Sequence, residues 1–286
     1  IKGIYIMHHI KVIKDGNVNN VVKEQLVDGV QYVDNEPHEG SLNVITSDGV
    51  AKAVAESVEQ SNREMKDMEE MFLVNLPIAA NTLRFEFSKM DYNPTVAGVG
   101  TSGTWKKVSA KFNNVWDWTK SGTSFSNAFE NAFNDSDNLV SLIDAGDTST
   151  ITSMYRMFYG CTSVIRISLF NTTNVTTMTH AFNSCSLTDI PLFDTSSVTH
   201  MSYAFNFCYK LRNIPLFDTS SVTNMSCAFN HCYNVNGGAL ALYQQASAQT
   251  TPPSNYTDCF KYCGKNTETG AAELAHIPAS WGGTAP

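Results

Sequence analysis

The sequence predicts an α/β repeat solenoid of about six units of about 24 residues, preceded by a small N-terminal module and a short coiled-coil helix. Three observations carry that expectation. Four segments between residues 147 and 235 are near copies, with Cys161, Cys185, Cys208 and Cys232 in register at intervals of 24, 23 and 24. Inside each copy the apolar residues recur at spacings of 3 and 4, the period of one helix face. Upstream, a heptad-like apolar series runs from Ala51 to Phe72.

Residues 1–45 are read as a separate N-terminal module. Up to Asn75 there are 13 Asp plus Glu against 7 Lys plus Arg, whereas residues 147–235 hold four of each sign, and this shift in charge marks a domain boundary. The opening stretch (IKGIYIMHHIKVI) alternates apolar residues with Lys and His and has no small-residue cleavage site, so it does not read as an export signal. The first residue is Ile, consistent with removal of an initiator Met or of a longer precursor.

Residues 46–75 are read as a helical stalk. Ser47 is a plausible N-cap. Ala51, Val54, Val58, Ser61, Met65, Met68 and Phe72 follow at spacings of 3 and 4, with Glu, Lys and Arg on the outer positions. A helix of ~22 residues would be ~33 Å long. Ala51, Val54, Val58, Met65, Met68 and Phe72 would form the seam of an oligomer, expected as a homotrimer; the alternative is an amphipathic helix packed on its own domain. Residues 76–121 are assigned as the N-terminal cap of the solenoid, with a turn-rich entry (MDYNPTVAGVGTSGT), and 122–286 as the solenoid with its C-terminal cap.

Within residues 194–217 (DTSSVTHMSYAFNFCYKLRNIPLF), Val198, Met201, Phe205 and Cys208 are expected on one helix face. Asp194 to Ser197 precede them as turn or N-cap types, and Leu211, Ile214, Leu216 and Phe217 form an extended apolar run. Two degenerate copies extend the array. One is read at Asn131-Ala132-Phe133 with Ser136 in the Cys slot, the other at Cys259-Phe260-Lys261-Tyr262-Cys263, with Ile277-Pro278 echoing Ile190-Pro191 and Ile214-Pro215. Such a unit cannot bury its apolar face alone, so copies must stack, with atypical units at the ends.

Composition narrows the partners. The net charge is −8, which argues against a general nucleic-acid or anionic-membrane surface. No apolar run approaches the ~20 residues of a membrane span, so no membrane insertion is expected. Charged residues make up only 16%, the deficit being filled by Ser, Thr and Asn, yet 42% hydrophobic residues supply a core.

The D-T-S-S-V-T-N-M-S-x-A-F-x-x-C-x-x-L-x-x-I-P-L-F unit resembles the 25-residue repeat of bacterial surface proteins and mycoplasma-type lipoproteins, which is regarded as leucine-rich-repeat-like. The resemblance runs from about Leu83 to the C-terminus and includes Thr104-Trp105, Trp116-Asp117-Trp118 and the closing I-P-A-S-W-G-G. It departs by one deletion after Cys185 and by an insertion at 237–254. A second resemblance is shorter: residues 26–34 (LVDGVQYVD) and 42–51 (LNVITSDGVA) are similar to anchor segments of fibre proteins from gut (crAss-like) bacteriophages. It implies attachment to other virion proteins through residues 1–45.

Chemistry is expected to be absent. The in-register cysteines read as a ladder of small buried hydrophobes and free thiols; helices ~8–10 Å apart would hold them beyond disulfide reach. There is no C-x-x-C pair and no His pair at zinc-ligand spacing, so no metal and no cofactor are expected. His180, His200 and His231 read as repeat variation. Asp144, Asp147, Asp189, Asp194 and Asp218 read as turn residues, and no nucleophile elbow, phosphate loop or dinucleotide motif occurs, so no catalytic residue is assigned.

What remains is surface. Tyr155, Tyr159, Tyr203, Phe207, Tyr209 and Tyr233, with Arg166 and Arg212, differ between copies and are of types enriched at binding hot spots; the alternative is that the aromatics only cover the layer between units. Trp105, Trp116 and Trp118 are expected to cap the first repeat. The reading is a non-enzymatic fibre or decoration protein on a virion surface, displaying the solenoid to a host surface protein or glycan. The alternative is a bacterial cell-surface adhesin on the same repeat, and a hydrolase of surface polysaccharide is disfavoured because no acid pair can be named.

Overall fold

The computed structural model describes residues 12–14, 17–19, 76–109 and 112–285. The chain divides into two units, Ile1–Leu76 and Pro77–Pro286. In the first, β1 (Val12–Lys14) pairs antiparallel with β2 (Asn17–Asn19). The stalk expected over 46–75, with its seam residues Ala51, Val54, Val58, Met65, Met68 and Phe72, lies outside the described residues, as does the rest of the module assigned to 1–45.

The second unit opens with a five-stranded mixed sheet in the order β4-β5-β3-β6-β7, where β3 is Thr82–Phe87, β4 Thr104–Ser109, β5 Phe112–Thr119, β6 Val140–Ala145 and β7 Val164–Ile167. All pairs are antiparallel except β6 with β7. The period-2 alternation of β3 sends Leu83, Phe85 and Phe87 into the core. Between them Arg84 is equally buried, and its guanidinium donates from Nε to Asp117 Oδ1 at 2.8 Å and from a terminal nitrogen to Oδ2 at 3.0 Å. A buried cation tolerates that position because the carboxylate takes both bonds in register.

Beyond the sheet the chain builds six stacked units, and they correct the predicted fold class. The described part is mostly β and turn, not an α/β solenoid. No repeat contains an α-helix: α1 (Ala239–Ser247) falls in the insertion at 237–254 and α2 (Glu268–Leu274) in the C-terminal segment. Cys259 and Cys263, expected on one helix, lie in turns.

The 3-and-4 spacing has another origin. In the unit holding Met201 to Cys208, alternate amides leave the unit: Met201 N donates to Asn224 O, Tyr203 N to Ser226 O, Phe205 N to Ala228 O and Phe207 N to Asn230 O, at 2.7–2.9 Å. The intervening amides close tight turns, Ala204 N to Met201 O, Asn206 N to Tyr203 O and Cys208 N to Phe205 O, at 3.1–3.3 Å. Every second turn places a residue at positive φ. Tyr203 (57°) and Phe207 (59°) do so here, and Asn127 and Asn131, Arg156 and Gly160, His180 and Ser184, Cys227 and His231, Asp258 and Tyr262 do so in the other five units. A left-handed residue ends an α-helix at once, so a helical apolar period becomes a coil of turns. Each such residue costs on the order of 1–2 kcal/mol, and the inter-unit bonds on either side hold it there.

Successive units are also joined by parallel bridges running Ser124, Ser153, Thr177, His200, Asn224, Asn255. Their separation is therefore that of neighbouring strands, ~4.8 Å, not that of packed helices. The core follows this repeat. Phe129, Phe158, Phe182, Phe205, Phe229 and Phe260 are fully buried and stack with centroids 5.1–5.9 Å apart at interplanar angles of 4–15°. Phe129 thus holds the ladder position of the first unit, with Ala132 in its Cys slot, correcting the register that put Phe133 and Ser136 there.

Small polar residues complete the stack. Thr148, Thr172 and Thr195 are buried and donate Oγ1 to the carbonyls of Asn171, Asp194 and Asp218 at 2.7–2.8 Å. Asp147, Asp194 and Asp218 accept the amide two residues on, which makes them turn residues and not helix caps. At the entry, Phe85, Trp105 and Trp118 pack on Phe129, with Trp118 Nε1 donating to Gly100 O. At the exit, Trp281 stacks on Tyr256 at 4.2 Å and closes over Phe260. The α1 N-terminus is covered from within, because the Glu273 carboxylate accepts from the amides of Gly238, Ala239 and Leu240.

Candidate functional site

Because each left-handed turn sets its side chain outside the Phe ladder, the variable residues line up in rows along the stack. The first row reads Asn127, Arg156, His180, Tyr203, Cys227, Asp258, and the second Asn131, Gly160, Ser184, Phe207, His231, Tyr262. A third row, just past each Cys, holds Tyr209 and Tyr233. Seven of the eight residues singled out in the sequence fall into three places, and Arg166 lies apart from all of them.

Tyr155 and Tyr159 flank Arg156, whose guanidinium carbon lies 5.3 and 5.1 Å from their ring centroids. Arg156 also donates to Glu130 Oε1 at 3.1 Å. This cation is thus held within the stack, and the two tyrosines serve mainly as its walls. Tyr159 continues to His180 at 5.7 Å, and His180 stacks on Tyr203 at 4.7 Å and 8°. Burial, followed by the charge of Arg156, holds the His180 imidazole below its ordinary pKa. The Tyr203 hydroxyl is raised by its hydrogen bond with Cys227.

Phe207, Tyr209 and Tyr233 form the second place, together with three residues that the sequence reading left out. His231 lies 4.7 Å from Phe207, 5.4 Å from Tyr233 and 4.9 Å from Tyr262, and Tyr209 lies 5.4 Å from Tyr233. Lys265 Nζ sits 4.1 Å over the Tyr233 ring and 5.0 Å from that of Tyr262. Tyr209 is 47% exposed and Tyr262 44%. The Tyr209 and Tyr233 rings are tilted by 30° to each other along the stack. His231 is held low by burial and then by Lys265 and Lys261. The signal for the missed residues was available: Tyr262 and His231 occupy the same repeat slot as Phe207.

Arg212 belongs to the third place, a shallow groove of about 510 Å³ lined by Thr188, Lys210, Arg212, Asn213, Asn234 and Asn236. Arg166 is not part of it; it is exposed on β7, paired in register with Ser141. The groove borders the aromatic cluster, since Asn234 Nδ2 donates to the backbone oxygen of Tyr209 at 2.6 Å.

All seven cysteines are free thiols, and all but Cys227 are buried. The Sγ atoms of Cys161, Cys185, Cys208 and Cys232 donate to the carbonyls of Phe129, Phe158, Phe182 and Phe205 at 2.8–3.2 Å. With no helices in the repeats, helix spacing does not keep these cysteines apart: strand-like spacing brings the repeats within disulfide range, and each thiol is engaged with the backbone of the preceding unit instead. Burial pushes Cys161 and Cys208 up to about 12 and raises Cys185, Cys232, Cys259 and Cys263. Such thiols are poor nucleophiles. Among the described residues, no three His, Cys, Asp or Glu side chains gather as metal ligands, and no helix is long and apolar enough to cross a membrane.

Residues 123–243 match the model of a family described as "Mycoplasma protein of unknown function, DUF285". The match spans the stack up to α1, 121 of the 286 residues, and supports the mycoplasma-type repeat that the D-T-S-S-V-T unit resembles. No curated protein and no solved structure matches the chain. The resemblance of residues 26–34 and 42–51 to phage fibre anchors finds no support in these comparisons.

Proposed function

We propose that this chain is a non-catalytic attachment protein, whose stacked units display a row of aromatic and basic side chains to a surface glycan or protein of a host. One observation carries the reading: Phe207, Tyr209, His231, Tyr233 and Tyr262 form a contiguous, part-exposed cluster across three successive units. Tyr and Arg are over-represented among residues that dominate binding energy, and a rigid scaffold presents them with little ordering cost on association. The six buried thiols, the Phe ladder and the Thr row are all turned inward and serve the stack itself. The setting proposed is a virion surface, with residues 1–45 attached to other virion proteins and 46–75 joining three copies.

The test is attachment of labelled protein to host cells. Tyr209→Ala combined with Tyr233→Ala should cut attachment at least fivefold while unfolding stays cooperative, its midpoint within about 4 °C of the parent, the shift expected for ~1 kcal/mol of lost ring contact in a unit of this size. Unchanged attachment removes the cluster from the site. Light scattering separates the two settings: a trimeric fibre has about three times the 31.4 kDa chain mass, and a single-chain adhesin has one.

A further inference from the structure

We infer that the groove beside the aromatic cluster is a binding site for a carboxylate-bearing sugar, a uronic or sialic acid unit of a surface glycan. The inference rests on the attachment reading above and names its ligand class. Its origin is visible in the repeat. The unit after Cys185 is one residue short, C-S-L-T where the next reads C-Y-K-L-R, so Lys210 has no counterpart there and Thr188 stands in the place of Arg212. The backbone is nonetheless in register, with Arg212 N donating to Thr188 O at 3.0 Å. A shallow groove lies at this step, with Thr188 on one side and Asn234 and Asn236 of the following unit on the other.

The lining decides the chemistry. Lys210 and Arg212 are both exposed, neither has a carboxylate partner among the described residues, and no acidic side chain lines the groove, although the chain as a whole carries −8. By contrast, Arg84, Lys89, Arg156 and Lys261 each hold a carboxylate. Two cations lining one groove, one a planar fork suited to a carboxylate, make a local anion site. The rest of the wall is Asn213, Asn234, Asn236 and Thr188, whose amides and hydroxyl both donate and accept. None of the six lining residues is of an apolar type, and this wall of amides and a hydroxyl suits a ligand coated in hydroxyl groups. A volume of about 510 Å³ lies in the ~300–1,000 Å³ range of small-ligand sites.

The experiment is calorimetric titration of the full-length protein with tetragalacturonate and 3′-sialyllactose, against maltotetraose and lactose as neutral partners, with poly-glutamate as competitor. At least one acidic sugar should bind ten times more tightly than its neutral counterpart, and weaken in 0.5 M salt. Lys210→Ala with Arg212→Ala should lower that affinity at least tenfold, with Arg212→Lys intermediate. Both side chains are exposed, so the unfolding midpoint of the variant serves as the folding control. Equal affinity for acidic and neutral sugars, no binding of either, an unaffected double variant, or equal competition by poly-glutamate would each overturn the inference. Cell attachment measured in parallel separates the two claims: attachment that persists while acidic sugars fail to compete rejects the groove alone, and absent attachment rejects the proposed function.

Discussion

Ser184 offers a test in which a helix and a coil of turns predict opposite signs. It sits at φ 61°, in the slot that Gly160 fills in the preceding unit. Compare Ser184→Gly with Ser184→Ala. Both lose one hydroxyl, which donates to Asn183 Oδ1 at 2.8 Å, so that loss cancels between them. In a helix, the alanine variant would be more stable than the glycine variant by about 1 kcal/mol. At positive φ, Ala bears the left-handed penalty of ~1–2 kcal/mol, offset in part by the greater freedom of Gly in the unfolded chain, about 0.4–1 kcal/mol. The structure therefore predicts Ser184→Gly to be the more stable by roughly 0.5–1 kcal/mol, a swing of about 1.5–2 kcal/mol relative to the helical expectation. Urea unfolding followed by fluorescence measures it, with the same m-value for both variants. Greater stability of Ser184→Ala would refute the left-handed assignment and the turn architecture with it.

Three further outcomes follow from the core. In native protein at pH 8, a thiol reagent should modify Cys227 quickly and the other six cysteines only on unfolding, since burial raises their pKa; seven fast thiols would show that the ladder is open. Phe205→Ala should cost ~3–5 kcal/mol, and Phe205→Leu should restore most of it apart from the ring contacts with Phe182 and Phe229, both at 5.3 Å; a cost below ~1 kcal/mol would mean the ladder carries little. Burial and nearby cations depress the folded pKa of His180 and His231, so their stabilisation is present above the unfolded value of ~6.5 and is lost as pH falls through and below it. The melting temperature should drop between pH 7 and 5, less so in His180→Gln/His231→Gln, while the depressed carboxylates Asp135, Asp147 and Asp194 act only nearer pH 4. Equal pH profiles for parent and variant would refute the assignment.

The candidate site was partly legible. Copy-to-copy variation pointed to Tyr209, Tyr233, Phe207 and Arg212, because variable side chains on an otherwise uniform repeat face outward. It also gathered Tyr155, Tyr159 and Arg166 into one group that the stack does not bring together. Lys210 and Asn236 escaped notice because the groove they line needs two adjacent units and a deletion in one of them, a relation that no single copy displays.

Sequence alone determined that the chain repeats and, in the four near copies, where the register of Val, Met, Phe and Cys falls in the core, since identical apolar positions in successive copies have no solvent-free surface but one another; in the degenerate first unit only the stack fixed Phe129 in place of Phe133. The conformation of those residues was decided only by tertiary structure. Apolar spacings of 3 and 4 satisfy a helix, and they equally satisfy turns with a left-handed residue at every fourth position, because both bring the same side chains to one side. Local propensity cannot separate the two, as Tyr203, Phe207 and Tyr262 are not residues that choose positive φ unaided. The choice lies in the backbone bonds between units, such as Tyr203 N to Ser226 O. They exist only once the copies are stacked, and a helix that bonds its own amides would have none to offer.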